Sequence, residues 1–591
     1  MPALLTPEEF DALQRRVAGA EFSAASVAAG LATDDIDAVE QSCEALARRA
    51  QFLQPKGKSN WPDGTIAARY GFIHALYQNV LYYRVTPGRR ARLHQRIGQR
   101  EEGGYRENTV EIATKLAVHF EEGQDYQRAL HYLKLAGEKA VRRSANREAI
   151  GLFHKGLALL KSMPESAART QHELLLHIAL RVPLIHSRGY AAAEVGHVYG
   201  RARELYAQVG ETPQLFSVLW GLWLYYVVRA EHAAAYDIGE QLRSLAENKK
   251  VSFPLAHYAP GVTLFWLGDL IRTQEYLARS LALYDRSQHG SHIFLYSQDP
   301  KTMSLSYQAW GLWFSGYPEQ ARQCSAEAIS WAQEVGHPFS LAFAWGFAAE
   351  VPCLRREGKE TQQRAEAAIA LCVEQGFPFW ATWGMVMRGW ALAEQGKHEE
   401  GITAMREGLV AYEATGAGMG KTLFLSLLAD AYGKAGQSEA GLQELAKAFE
   451  FLHKTNERAY EAELYRLKGE LTLQQASLGR VKNKLRTSQK RSNNSNPQPL
   501  TPSTEAEVAR EAEECFLKAI DIAHQQQAKS WELRASTNLA RLWLQQDKTK
   551  QAHTLLSKIY NWFTEGFDTK DLQGAKTLLD DLGEKAKRGN G

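Results

Sequence analysis

The sequence is poor in the residues that staple small secreted domains and in those that interrupt helices. Its five cysteines, Cys43, Cys324, Cys353, Cys372 and Cys515, are scattered over 591 residues with no C-x-x-C pair. Neither a disulfide framework nor a cysteine-built zinc site is expected, and a reducing, cytoplasmic setting fits. Proline is scarce: 18 residues are present, below the average of about 5%. Neither charge sign dominates, since 70 Lys+Arg face 67 Asp+Glu for a net charge of +3. An anionic partner would therefore have to meet a local patch. Long apolar runs are missing too. The uncharged stretch from Thr212 to Val228 is broken by Pro213, Gln214, Ser217 and Gly221, which suits a buried helix better than a membrane span. The N-terminus, MPALLTPEEFDALQRR, has no apolar h-region, so no signal peptide is expected. These absences argue against secreted, disordered and membrane classes and leave a helical chain too long for one core.

What is present is a repeat. Gly336 (in VGHPFS) and Gly376 (in QGFPFW) are 40 residues apart, and the series continues to Gly416 and Asn456. Asn is the common substitute for Gly at a left-handed helix C-cap, so all four positions share one conformational demand. A second series, Gly316, Gly358, Gly396 and Gly436 with Gly268 upstream, falls between them. Seven residues before these glycines stand Gly261, Ala309, Val351, Gly389 and Ala429; four before, Leu264, Leu312, Leu354, Leu392 and Tyr432; twelve after, Ser280, Ala328, Ala370, Gly408 and Ala448. Small residues facing large apolar ones across a turn describe antiparallel helical hairpins that pack closely. Each hairpin leaves a face that only the next can cover, which makes a solenoid.

The pattern resembles the tetratricopeptide (TPR) repeat, with a period of 38–48 residues instead of that family's 34. The expected fold class is all-α, a TPR-like helical-hairpin solenoid with a small N-terminal winged-helix-like domain. Residues 1–20 form an N-terminal segment and 21–103 the winged-helix-like domain with connector helices. Repeats occupy 104–477 and 505–582 on either side of a disordered basic insertion at 478–504, and 583–591 form a tail. In the head, helices at Ala24 to Leu31 and Asp34 to Arg49, with Asp34 as N-cap, precede strands at Gln51 to Leu53 and Thr65 to Phe72. Pro55 to Gly64 turns between those strands, and helices His74 to Arg84 and Gly88 to Arg100 follow. The insertion carries Arg480, Lys482, Lys484, Arg486, Lys490 and Arg491 without an acid. It reads as a solvated linker, because no aromatic residue is interleaved to stack on bases.

Tyr70 to Tyr82 (YGFIHALYQNVLY) followed by Arg89 to His94 (RRARLH) resembles the segment joining winged helix to solenoid in STAND-type signalling NTPases. The likeness is to bacterial proteins that join a nucleotide cyclase, an AAA-like ATPase and a long TPR region. Gln298-Asp299-Pro300, Gly316-Tyr317-Pro318, Gly389 to Gly396 and Tyr560 to Thr569 look like that TPR region. The sequence contains neither the cyclase nor the ATPase domain, so neither activity is carried over and no enzyme is expected. The resemblance implies a winged helix that relays state to an ATPase. DNA binding through Arg48, Arg49 and the basic helix Arg89 to Arg100 is a third alternative.

Few segments invite a chemical reading. Thr415 to Thr422 (TGAGMGKT) misses the P-loop by one position and sits at a turn between helices, not after a strand. His289, His292 and Asp299 lack metal-site spacing and read as an ordered loop. No cofactor or metal is expected. Ten of the 14 tryptophans lie between Trp220 and Trp390. By analogy with TPR arrays, the positions six and three before each turn glycine face a concave groove. Phe265, Trp310, Trp313, Arg355, Trp390 and Asp430 hold such positions, with Trp266 adjacent. Trp and Arg dominate interface hot spots. The expectation is a non-catalytic scaffold or sensor in bacterial signalling that takes a protein, peptide or small effector in this groove. Its partner could also be a separately encoded P-loop NTPase or cyclase; no nucleic acid or membrane partner is expected.

Overall fold

The computed structural model describes residues 21–49, 52–74, 82–83, 85–209, 215–490 and 502–588. The expected segment 1–20 and most of the expected helix 74–84 lie outside them. The chain divides into two compact units, residues 1–183 with 204–210, and residues 184–203 with 211–591; each is described by itself.

Unit 1 begins with strand β1 (Glu21–Ser23), helix α1 (Ala24–Leu31) and helix α2 (Ile36–Arg48). Strands β2 (Leu53–Asn60) and β3 (Ile66–Phe72) follow, and the antiparallel sheet has the order β1-β3-β2. Asp35, not Asp34, caps α2, accepting from the Ala38 N–H at 2.9 Å, as short acceptors at helix starts do. The hairpin turn is shorter than the expected 55–64. Pro55 pairs with Tyr70 inside β2, and a bulge between Pro55 and Lys58 absorbs Gly57, whose φ is +92°. An edge strand with a bulge is where a sheet tolerates proline. Phe22, Val27, Val39, Leu46, Leu53 and Tyr70 form the core together with Leu93 and Ile97 of α3 (Pro87–Tyr105). A 3₁₀ turn leads on to α4 (Ala113–Glu122), α5 (Tyr126–Arg142) and α6 (Asn146–Leu160). Helices α7 (Ala167–Arg188) and α8 (Ala193–Val209) carry the chain across the division.

Unit 2 is a helical-hairpin solenoid. Its hairpins are α9/α10 (Leu215–Val228, His232–Asn248), α11/α12 (Pro254–Trp266, Leu270–Leu283), α15/α16 (Pro300–Phe314, Pro318–Val335) and α17/α18 (Pro338–Leu354, Gly358–Gln375). They continue as α19/α20 (Pro378–Glu394, His398–Ala414), α21/α22 (Lys421–Lys434, Ser438–Thr455), α23/α24 (Glu461–Lys490, Pro502–Gln526) and α25/α26 (Lys529–Gln545, Thr549–Tyr560). Helix α27 (Lys570–Arg588) ends the array, running past the expected boundary at 582. Two short helices, α13 (Arg286–His289) and α14 (His292–Tyr296), are inserted after the second hairpin. Gly336, Gly376, Gly416 and Asn456 have φ of +68°, +73°, +81° and +61°, the left-handed conformation that ends a helix. Helix α23 continues to Lys490 through the first part of the expected insertion, while 491–501 lie outside the described residues.

One register assignment is corrected. In hairpin 4 the left-handed turn residue is Arg356 (φ +62°), and Gly358 already opens α18. The second series becomes 268, 316, 356, 396 and 436. Its small positions in this hairpin become Ala349 and Ala368, both fully buried, while the formerly assigned Ala370 is exposed. Helices α19 and α20 show why small residues recur. A Cβ on Gly389 would stand 2.8 Å from the Gly401 carbonyl, and one on Gly401 would stand 2.5 Å from the Gly389 carbonyl.

The array folds back on itself with an offset of five hairpins. The lead-in to hairpin 6 donates Gly418 and Met419 N–H to the Val228 carbonyl at the turn of hairpin 1, at 2.8 and 3.0 Å. The lead-in to hairpin 7 donates Arg458 and Ala459 N–H to Trp266 in hairpin 2, at 2.7 and 3.3 Å. Hairpin 8 reaches hairpins 3 and 4: Ser530 donates to the Trp313 carbonyl at 2.6 Å and Arg534 to the Leu354 carbonyl. The last carbonyls of a helix have no partner within it, and in hairpins 1–4 the facing hairpin supplies one.

Candidate binding face

The first helix of each hairpin lines the inner side of unit 2, and two different surfaces meet there. Between hairpins 2 and 6 that side is aromatic. Phe265, Trp266 and Trp310 are all fully buried, and they pack with Tyr307, Phe314, Phe347 and Trp383. The Trp310 ring stacks on Phe347 at 4.0 Å, and its Nε1–H donates to the Phe347 carbonyl at 3.1 Å. Trp266 donates to Tyr307 Oη at 3.1 Å. Trp313 packs against Trp531, with the Arg534 guanidinium above its ring. These four expected groove residues therefore face protein: the hairpins that fold back across the inner side close it.

The end of α7 and the residues after it fill more of the same space. His186 stacks on Phe339 at 3.9 Å, and Tyr190 packs against Phe339, Phe379 and Trp380 while accepting from Trp380 Nε1 at 3.2 Å.

From hairpin 4 onward the inner side is charged. Lys434 bonds both Asp430 and Glu394 at 2.5 Å, and Lys570 reaches Glu394 at 2.9 Å. Arg466 pairs with Glu463 and Glu470, Arg534 with Asp571 at 2.7 Å, and Arg356 with Asp571 at 3.3 Å. Water reaches this cluster: the side chains of Glu470 and Arg356 are 39% and 32% exposed. Burial opposes ionisation of Asp430, but Lys434 and Arg356 hold its pKa down to about 2. Arg541 differs from the rest. Its guanidinium donates to Asn538 at 3.3 Å and forms no ion pair among the described residues. Desolvation pushes its pKa down, Glu470 and Asp571 oppose that shift, and Arg356 and Arg466 add to it, while the side chain as a whole is exposed.

Of the remaining expected groove residues, Asp430 belongs to this cluster, and Trp390 borders it with the Lys434 ammonium 5.6 Å from its ring centre. Arg355 is buried elsewhere, bonded to Glu357 at 2.8 Å, the Pro318 carbonyl at 3.1 Å and Asp568 at 3.0 Å. Glu470 and Arg541 were missed. Both lay within reach of the spacing: Glu470 is forty residues after Asp430, and Arg541 is six before the left-handed Asp547. The lengthened hairpin 7 hid that register.

The P-loop-like segment holds an anion of the chain's own. The Gly420 and Thr422 N–H groups at the start of α21 donate to Glu457 at 2.9 and 3.0 Å, and the Thr422 hydroxyl adds a bond at 2.5 Å. This carboxylate takes the place a phosphate would fill at a helix N-terminus. Lys421 turns to Glu413 at 2.5 Å. Of the metal candidates, His289 bonds the Asp285 N–H and the Ser252 carbonyl, while Asp299 caps α15 and accepts from Tyr284 and Trp331.

In unit 1 the helix that would read DNA carries Asp37, Glu40 and Glu44, and Arg48 is spent on Glu44 at 3.2 Å. The hairpin tip is also engaged. Trp61 lies under the Arg100 guanidinium, Arg100 bonds Asp63 at 2.9 Å and Thr65 at 2.7 Å, and the Asp63 N–H bonds the Gly104 carbonyl.

No family model matches the chain. An uncharacterised protein of Rhizobium meliloti (strain 1021) is 26% identical over 409 residues, covering 67% of this chain and 39% of that one. The chain thus spans about two fifths of the length of the curated relative it matches. Among solved structures it is similar to a Rap protein complexed with competence and sporulation factor, with a TM-score of 0.39 and 16% identity over 61% of this chain and 98% of that one. It is also similar to a STAND protein with a tetratricopeptide repeat sensor from Pyrococcus horikoshii, at TM-score 0.32 and 11% identity over 98% and 65%. A third likeness is to yeast Tom70, at 0.30 and 11% over 86% and 94%.

Proposed function

We propose that this chain is a non-catalytic helical-repeat scaffold or sensor in bacterial signalling, binding an anionic group of a protein, peptide or small effector on the charged inner face of hairpins 6–8. The observation that supports this is Arg541: an exposed guanidinium that forms no ion pair among the described residues, bonded to Asn538 and near Arg466, on a face that water reaches. Charge-assisted bonds of this kind add both energy and orientation. On this reading Trp390 and Asp430 border the site, while Phe265, Trp266, Trp310 and Trp313 hold its walls together. Affinity purification with the full chain and with Arg541→Glu tests it: partners recovered by the wild type should be lost from the variant while its melting temperature stays unchanged. Equal recovery would refute the site.

A second reading, the sensor part of a STAND-type ATPase or cyclase switch, is favoured by the resemblance of the head segment and by the greater length of the Rhizobium relative. Co-expression with a neighbouring P-loop protein should then change that protein's ATP hydrolysis rate. The DNA-binding alternative is disfavoured by the acidic face of α2 and the engaged hairpin tip.

A further inference from the structure

The fold-back leaves part of an interface unused. In hairpins 1 and 2 the carbonyl two residues before the left-handed turn residue, at Val228 and Trp266, accepts backbone N–H groups from the hairpin five positions later, and in hairpin 4 the equivalent Leu354 carbonyl accepts from the Arg534 side chain of hairpin 8. Hairpin 5 meets α27 through Lys570 and Glu394. For hairpins 6–8 the chain supplies no later hairpin among the described residues, and no backbone donor there reaches the equivalent carbonyls of Lys434 and Gln545. A cleft of about 1050 Å³ occupies that place. Its lining includes Lys434 and Gln545 at helix ends and Gln474 midway along α23, with Leu473, Ala506 and Leu542 as an apolar floor.

The covered hairpins show what chemistry fits this edge. Gly418–Met419 and Arg458–Ala459 each bring two successive N–H groups just ahead of a helix, and the second pair is followed by Glu461 and Glu463. A helix start with an acidic first turn meets the negative end of the facing helices through N–H groups and places its carboxylates to the side.

We propose that this edge of hairpins 6–8 docks the acidic, proline-free start of a helix from a partner protein. Its leading N–H groups bond the Lys434 and Gln545 carbonyls, continuing the interface that the chain builds within itself. A second copy of the chain fits poorly. Its uncovered lead-ins at hairpins 3, 4 and 5 carry Pro300, Pro338 and Pro378, which have no N–H to donate. The docking does not rest on the inner-face reading.

A labelled synthetic peptide with the sequence of residues 455–474, titrated into the full chain, tests it. Saturable binding is expected. It should weaken about tenfold or more when proline replaces both Arg458 and Ala459 in the peptide, or lysine its three leading glutamates. Ala506→Trp, an exposed position that fills the cleft, should abolish binding without moving the melting temperature, whereas Arg541→Ala should leave it intact. No saturable binding, equal binding of the proline peptide, or loss with Arg541→Ala but not Ala506→Trp would overturn the proposal. Concentration-dependent self-association removed by Ala506→Trp would overturn it too, by assigning the edge to a second copy.

Discussion

Glu350 occupies the hairpin-4 position equivalent to Trp310, Trp390 and Asp430, and it is fully buried with one carboxylate oxygen lacking a hydrogen-bond partner. The other oxygen accepts from the Tyr460 hydroxyl. Burial raises its pKa to about 8, against an ordinary value of 4.5. Between those values the folded protein holds a proton that the unfolded chain releases, so stability falls as pH rises from 4.5 to 8 and levels off above. The slope is on the order of 1.4 kcal/mol per pH unit. Glu350→Gln should flatten that decline, measured by urea unfolding of the two proteins at pH 5 and pH 8; a parallel decline in both would remove Glu350 as its source. The tryptophans make a complementary prediction. Trp310→Ala opens a cavity in a packed interior and should cost about 3–5 kcal/mol. Arg541→Ala, on the wetter face, should leave the melting temperature nearly unchanged.

At the level of elements, the turn glycines separate conformational demand from crowding. Gly396 has φ +89° and open space where a Cβ would stand. Gly396→Ala should therefore cost about 1–2 kcal/mol from the left-handed backbone alone, whereas Asn456→Gly, at φ +61°, should be neutral or slightly stabilising. Denaturant midpoints of the two variants check this. Prolines at helix starts show a second constraint. Pro254, Pro300, Pro338 and Pro378 open the first helices of hairpins 2–5. Hairpins 6, 7 and 8 open on Lys421, Glu461 and Lys529. Hairpins 6 and 7 use their lead-in N–H groups to bond an earlier hairpin, and proline there would delete the bond.

Across unit 2 as a whole, hydrogen exchange tests the fold-back. The amides of Gly418, Met419, Arg458 and Ala459 lie outside regular helix yet should exchange slowly, as groups bonded across the array do; fast exchange, comparable to the loop at 249–252, would mean the array is open. The hairpins, their turns and the close helix approaches were legible in the sequence because they rest on residues within forty positions of one another, where a left-handed turn or a missing Cβ leaves a periodic mark. Gly358 misled the register because its neighbour Arg356 takes the left-handed turn without the residue type that announces it. The head was readable in order but not in detail, since a bulge let β2 run through Pro55. Whether the aromatic side of the array stays open or closes was not written in any one repeat. It depends on small rotations summed over five hairpins, which bring residues about 190 positions apart into contact, such as Val228 and Met419. The sequence by itself therefore determined a helical-hairpin solenoid with a small head. The tertiary structure decided that Phe265, Trp266, Trp310 and Trp313 are interior and that the charged face and the uncovered edge of hairpins 6–8 stay open to solvent.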